Sequence, residues 1–222
     1  MTDLKTLYRH RFDESDLPEK NRIWSVLCSD YFNKIIPANA TVLDIACGYG
    51  EFINNIRAGE KIAIDANPDA QRFTREDIEF HNRMVDEISV VGNARVDIAF
   101  TSNFLEHLRS KSDLDKLFVD LKSVLKPGGK FIIMGPNIRY VFDKYWDFYD
   151  HYLPLSHLSL EEGLVQAGYE IDTVIPKFLP YSTRSALPKA SFLVAAYLRV
   201  PIAWQILGRQ FLVIAKNPDK SS

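Results

Sequence analysis

Cysteine is scarce in this chain: Cys28 and Cys47 are the only two in 222 residues. That excludes a disulfide framework and a thiolate metal-ligand set, and it suits a reducing, cytoplasmic setting. A basic surplus is missing as well. With 27 Lys and Arg against 29 Asp and Glu, the formal charge is -2, so the chain has no general attraction for phosphate backbones and nucleic acid is not an expected partner. The first residues, Met1-Thr2-Asp3-Leu4-Lys5, lack the apolar core of a signal peptide. The longest apolar stretch, Ala190 to Gly208, is interrupted by Arg199 and Pro201, which excludes a membrane-spanning helix. One further absence is local. From Thr173 to Pro218 there is no Asp or Glu, yet Lys177, Arg184, Lys189, Arg199, Arg209 and Lys216 are all present.

What is present is enough apolar residue for a core, 46% against 25% charged. The length fits one domain over 1–222. Residues 21 to 36 read as a first helix, with Ile23, Val26, Leu27, Tyr31 and Ile35 at helical spacing. Strands are then expected at 41–46, 61–65, near 78–81, 96–101 and 130–134, alternating with helices at 51–57, 68–75 and 113–125. Lys126-Pro127-Gly128-Gly129 stops the last of these helices. This alternation predicts an α/β fold, a doubly wound, mostly parallel sheet with helices on both faces. Ser159-Leu160-Glu161-Glu162 has the form of a capping box, with Ser159 as the cap of a helix running to Gly168.

The densest chemistry lies in Thr41-Val42-Leu43-Asp44-Ile45-Ala46-Cys47-Gly48-Tyr49-Gly50-Glu51-Phe52, followed by Lys61-Ile62-Ala63-Ile64-Asp65. A β-branched run feeds a two-glycine turn, and the next apolar run ends on an acid at the spacing of one βαβ unit. Gly48 and Gly50 permit a tight turn and close approach of a ligand. Asp65 can accept hydrogen bonds from both hydroxyls of a ribose. A dinucleotide would want a third glycine where the helix instead opens Glu51-Phe52-Ile53, and Glu51 would compete with a pyrophosphate for the helix N-terminus. A cofactor bearing a sulfonium and an ammonium suits so acidic a loop better.

These segments resemble the first motif of the class I S-adenosylmethionine-dependent methyltransferases, with Ala46 standing where that family most often has a glycine. The likeness continues through Val96-Asp97-Ile98-Ala99-Phe100, Ser102-Asn103-Phe104-Leu105-Glu106-His107-Leu108 and Leu125-Lys126-Pro127-Gly128-Gly129, covering roughly residues 40–137. It implies a Rossmann-like, seven-stranded sheet with S-adenosyl-L-methionine as cofactor. It implies Asp44, Ala46, Cys47, Gly48, Gly50, Asp65, Ala66, Asn103 and Phe104 as cofactor-facing, and Asp86 beside the adenine amino group. Residues 1–38 would form an N-terminal lid and helix, 40–137 the cofactor half and 138–222 the acceptor half. The last two strands, 169–174 and 210–215, are separated by an insertion over 176–209 where the minimal fold has a short hairpin.

Acceptor recognition is expected from Asn137 and the aromatic run with Tyr145, Trp146, Phe148, Tyr149, Asp150 and His151, together with Tyr8 and Arg11 ahead of the first helix. Alternatively the aromatics pack the crossover against the sheet. A hydroxyl acceptor needs a base, and His151 or His157 is favoured, with His107 a third candidate. In related quinone O-methyltransferases a Glu-His pair like Glu106-His107 helps hold a divalent metal, but Asn103 stands where a further carboxylate would be wanted, and no metal is expected. Layout resembles bacterial enzymes of cell-surface polysaccharide or glycolipid assembly, which implies O-methylation of a saccharide or glycolipid precursor. Methylation of a quinone or other lipophilic phenol is the rival, and a catalytically silent scaffold the reading from another class. The segment 190–208 would lie on a membrane surface, cap the acceptor site, pack in the core or form a homodimer interface.

Overall fold

A computed structural model of the chain describes residues 17–181 and 191–219. Seven strands form one sheet in the order β3-β2-β1-β4-β5-β7-β6. They are β1 (Thr41–Ile45), β2 (Glu60–Asp65), β3 (Glu79–Asn82), β4 (Val96–Ser102), β5 (Leu125–Pro136), β6 (Glu170–Ile175) and β7 (Gln210–Lys216). The first five are parallel, and β7 runs antiparallel to both of its neighbours. The α/β, doubly wound architecture expected from the sequence is therefore observed.

The alternation of side chains along each strand explains why both faces are covered. Leu43, Ile45, Ile62, Ile64, Phe131 and Val213 enter one core with Leu117, Phe118 and Leu121 of α3 (Lys111–Val124) and Leu160 and Leu164 of α5 (His157–Gln166). Val42, Ala63, Ile98, Phe100, Ile132 and Leu212 enter the other. There they meet Ile23 and Leu27 of α1 (Leu17–Leu27), Phe52 and Ile53 of α2 (Glu51–Asn55), and Val194, Tyr197 and Leu198 of α6 (Ser191–Leu198). Between β5 and α5 lies α4 (Ile138–Tyr145), and α7 (Pro201–Leu207) precedes β7.

Several local expectations are corrected. The first helix is already formed at Leu17, the first of the described residues and four before the expected start. It then widens into a π turn over Cys28–Phe32. The extra residue advances the buried face by one position, so Phe32 and Ile36 are buried where Tyr31 and Ile35 were expected, and Ile35 is exposed. The segment after α3 is no helix-stopping loop, because β5 begins at Leu125 and bulges through it between its pairings with Val96 and Ile98. Gly128 supplies the positive φ, 76°, that the bulge needs. The cap of α5 is Ser156, not Ser159. Ser156 Oγ accepts from Ser159 N at 3.1 Å while Ser159 Oγ accepts from Ser156 N at 3.0 Å, so a serine fills the reciprocal role given to Glu162.

Candidate active site

The carboxyl ends of β1, β2, β4 and β5 converge on one edge of the sheet, the place where open α/β folds bind ligands. After β1 the chain turns through Ala46, Gly48 and Gly50, with φ of 57°, 55° and 71°. Glycine suits such angles; Ala46 adopts one despite its methyl group, at a local cost. A side chain at Gly50 would meet Asn54 Nδ2 at 2.9 Å, so that position has no room for a Cβ without displacement.

Asp65, at the end of β2, is buried and pre-oriented. Its Oδ2 accepts from Gly48 N at 2.8 Å and its Oδ1 from Asn67 N at 2.7 Å. Each oxygen keeps a lone pair for a further donor. Burial pushes the Asp65 carboxyl up from its ordinary value, against these two hydrogen bonds. Asp44 is raised further by burial and by the neighbouring charges of Glu51 and Asp65. Glu51, the first residue of α2, is raised chiefly by burial. Three partly desolvated carboxylates around one glycine turn form a site that a cationic ligand would relieve. Cys47 is buried behind the loop with its thiol raised by burial, so it serves packing rather than chemistry.

Ala66 follows at the strand end, its carbonyl accepting from Asn82 Nδ2 at 3.1 Å. Asp86 lies exposed in the first turn of a 3-10 segment after β3. Beyond β4, Asn103 takes a left-handed φ of 50° and donates its N–H to Met134 O at 2.9 Å. Phe104 beside it packs against the core.

The second cluster surrounds the turn Leu105–His107. Glu106 O accepts from Tyr152 N at 2.8 Å and Leu153 N at 3.1 Å, which pins the loop after α4 across the end of β4. His107 Nδ1 lies 3.1 Å from Asp150 Oδ2 and 3.0 Å from Asp150 O. Both partners are acceptors, so Nδ1 carries the proton and Nε2 keeps the lone pair of the neutral ring. Burial disfavours the imidazolium, but Asp150 and Glu106 outweigh it and hold the His107 pKa above its ordinary value. The His151 ring stands edge-on to His107 at 5.1 Å and stacks on Phe148 at 4.6 Å. One donor atom each from Glu106, His107 and His151 lies within 4.8 Å of the others, a grouping that no spacing in the sequence announces.

His157 stands elsewhere, at the start of α5. Its Nδ1 meets Asn137 Nδ2 at 2.8 Å, and the same amide donates to Pro176 O at 2.9 Å while Asn137 Oδ1 accepts from Arg139 N at 3.3 Å. A carbonyl can only accept and a backbone N–H only donate, so the amide orientation is fixed and His157 Nδ1 must accept. Its proton therefore sits on Nε2, and burial and Arg139 lower its pKa. The geometry gives His157 no free lone pair.

A methyltransferase-domain family model matches residues 19–174. The chain belongs to that family. It is a methyltransferase with S-adenosylmethionine as cofactor, and the acidic loop with its pre-oriented Asp65 suits that group's sulfonium, ammonium and ribose. No curated protein sequence matches the chain. Among solved structures, this methyltransferase is similar to a chain of the complex between the Haloferax volcanii Trm112 methyltransferase activator and a methyltransferase, at 17% identity, 98% of this chain and 99% of that one, TM-score 0.69. A SAM-dependent methyltransferase from Archaeoglobus fulgidus matches at 21% identity, 96% and 100% coverage, TM-score 0.64. The cyclase SpnF matches at 17%, 90% and 81%, TM-score 0.60. Such likenesses bear on the fold alone, and the cyclase illustrates that one fold hosts other chemistry.

Some acceptor residues expected in this methyltransferase sit differently. Tyr145 is fully buried with its hydroxyl donating to Leu153 O, so it braces the loop. Asn137 is fully buried with its amide committed as above, a joint between β5, α5 and the chain after β6. Asp150 is tied to His107. Trp146 and Tyr149 are exposed. Tyr8 and Arg11 lie outside the described residues. Asn67, which locks Asp65 through its backbone N–H, carried no signal of its own beyond being an Asn-Pro turn.

Proposed function

We propose that the acceptor is a hydroxyl of a small molecule, a saccharide or glycolipid precursor, and that His107 is the general base. The observation that carries this reading is the Asp150–His107 pair. The cofactor supplies an electrophilic methyl on sulfonium, so the chain must align an oxygen lone pair with it and take up the hydroxyl proton. His107 Nε2 is the acceptor of that proton, and Asp150 both fixes the tautomer and stabilises the imidazolium that results.

His151 supports the pair from the side, through its stacking on Phe148 and its edge contact with His107. The exposed rings of Trp146 and Tyr149, close in sequence to Asp150, offer faces to the apolar side of a sugar ring. A lipophilic phenol is the second reading, favoured by the exposed Phe142 on α4.

Methyl transfer from labelled cofactor to a panel of nucleotide sugars, lipid-linked sugars and phenols tests the acceptor class. With the best acceptor, His107→Ala should lower kcat by about 10²- to 10⁴-fold with cofactor affinity unchanged. Full activity in that variant would sink the assignment.

A further inference from the structure

Two short helices, α6 and α7, emerge where β7 begins. Because β7 is antiparallel, its first residue pairs with the last of β5, Gln210 with Pro136, so the helices stand at the same edge of the sheet as the candidate active site. Their inner sides are packed. Val194, Tyr197 and Leu198 are buried against α1, and Trp204 donates to Tyr197 O at 2.9 Å and meets Phe178 edge-on at 5.3 Å.

Their outer sides are apolar and open. Phe192 is 69% exposed, Ile202 71% and Ile206 68%, with Leu193, Val200 and Leu207 also exposed. Ile202 and Ile206, four apart, share a face of α7. Single exposed apolar residues need no explanation, but five on two adjoining helices and a sixth, Val200, in the turn between them do. Arg199 and Arg209 are exposed beside them. Asp30 reaches this surface from another element, 3.3 Å from Arg199, and the sequence from Thr173 to Pro218 contains no Asp or Glu.

We infer that this surface seats the protein on an anionic lipid bilayer, with the isoleucines and Phe192 entering the headgroup boundary and the arginines meeting lipid phosphates. Projecting apolar tips ringed by cations fit that phase. A second copy of the chain fits less well, since a two-fold interface would set the same arginine-bearing surface, with Asp30 as a counter-charge to Arg199, against itself. No described helix is long and apolar enough to cross a membrane, so the contact is peripheral. The inference is independent of the acceptor's identity.

Flotation of the whole protein with phosphatidylcholine vesicles, and with vesicles also containing phosphatidylglycerol, tests it without any activity assay. Binding to the anionic vesicles, weak binding to the neutral ones, and loss of binding in high salt are expected. The double variant Ile202→Ser with Ile206→Ser should lower partition at least about tenfold. Arg199→Gln, which alters no apolar packing, should lower it by up to about fivefold. Indifference to lipid charge, absence of binding, or wild-type partition of the serine variant would overturn the inference. So would a concentration-dependent dimer in solution that the serine variant abolishes, which would give the surface to a second copy.

Discussion

The glycine loop and the histidine cluster proposed to meet the acceptor stand on one sheet edge but are assembled over different stretches of chain. Asp65 is locked by Gly48 and Asn67, 17 and 2 residues away. His107 finds its partner in Asp150, 43 residues on, and His157 is held by Asn137, 20 residues back. The first site uses backbone groups and carboxylates at strand ends; the second uses side chains on loops that must be carried together. A site of the first kind tolerates change around it, because the sheet register fixes it. One of the second kind depends on every brace that holds the loops.

The sharpest way to break the cofactor side is Asp65→Ala. It removes the proposed ribose acceptor and strands the backbone donors of Gly48 and Asn67, so calorimetric titration should show affinity for S-adenosylmethionine falling by about 10²- to 10³-fold. Unchanged affinity would remove the assignment. On the acceptor side Asn137→Ala should act on stability, costing about 2–3 kcal/mol in urea unfolding by leaving Pro176 O, Arg139 N and His157 Nδ1 without their partner. If stability held and only KM rose, Asn137 would be an acceptor contact after all.

Asp150→Asn sharpens the comparison further, with kcat expected to drop by about tenfold to a hundredfold. The sign of the pH effect is fixed. With His107 as the proposed base, neutral imidazole would be the active form and the rate would rise with pH through the His107 pKa. Asp150 raises that pKa, so the inflection should move to lower pH in the variant. An unmoved inflection would separate Asp150 from the base. The smallest effect is expected at Ala46→Gly. Relief of the left-handed backbone, about 1–2 kcal/mol, is offset by glycine's greater freedom in the unfolded chain. A rise in Tm of about 1–3 °C should remain, and a fall would show that the alanine is well accommodated.

The same contrast decides what the sequence discloses. The strands, their alternation and the loop from Asp44 to Asp65 follow from periodicity and spacing inside single βαβ units, and the structure places them within a residue or two, except that β5 begins five residues before the expected Lys130. The π turn at Cys28–Phe32 was hidden, because an inserted residue leaves the apolar spacing looking regular while shifting its phase. At the proposed acceptor side, the sequence favours His151 or His157 as base and places His107 third, without access to the hydrogen-bond partners of any of the three. Ranking them takes the knowledge of which ring nitrogen each neighbour occupies, which comes from pairings such as Asp150 with His107 and Asn137 with His157.

The excursion carrying α6 and α7 leaves and returns through one doorway. Beyond the pairing of Ile175 with Leu212, the ladder continues as Phe178 N donates to Gln210 O and Arg209 N to Leu179 O. The two ends of the excursion are thereby fixed next to each other by the ladder, and the helices fasten onto the same rungs, Tyr197 of α6 donating its hydroxyl to Phe178 O at 2.7 Å. A protein engineer could treat that doorway as a socket: a different cap, joined at the same two rungs and covering α1 as Val194, Tyr197 and Leu198 do, would change what the enzyme meets while the cofactor loop stayed as it is.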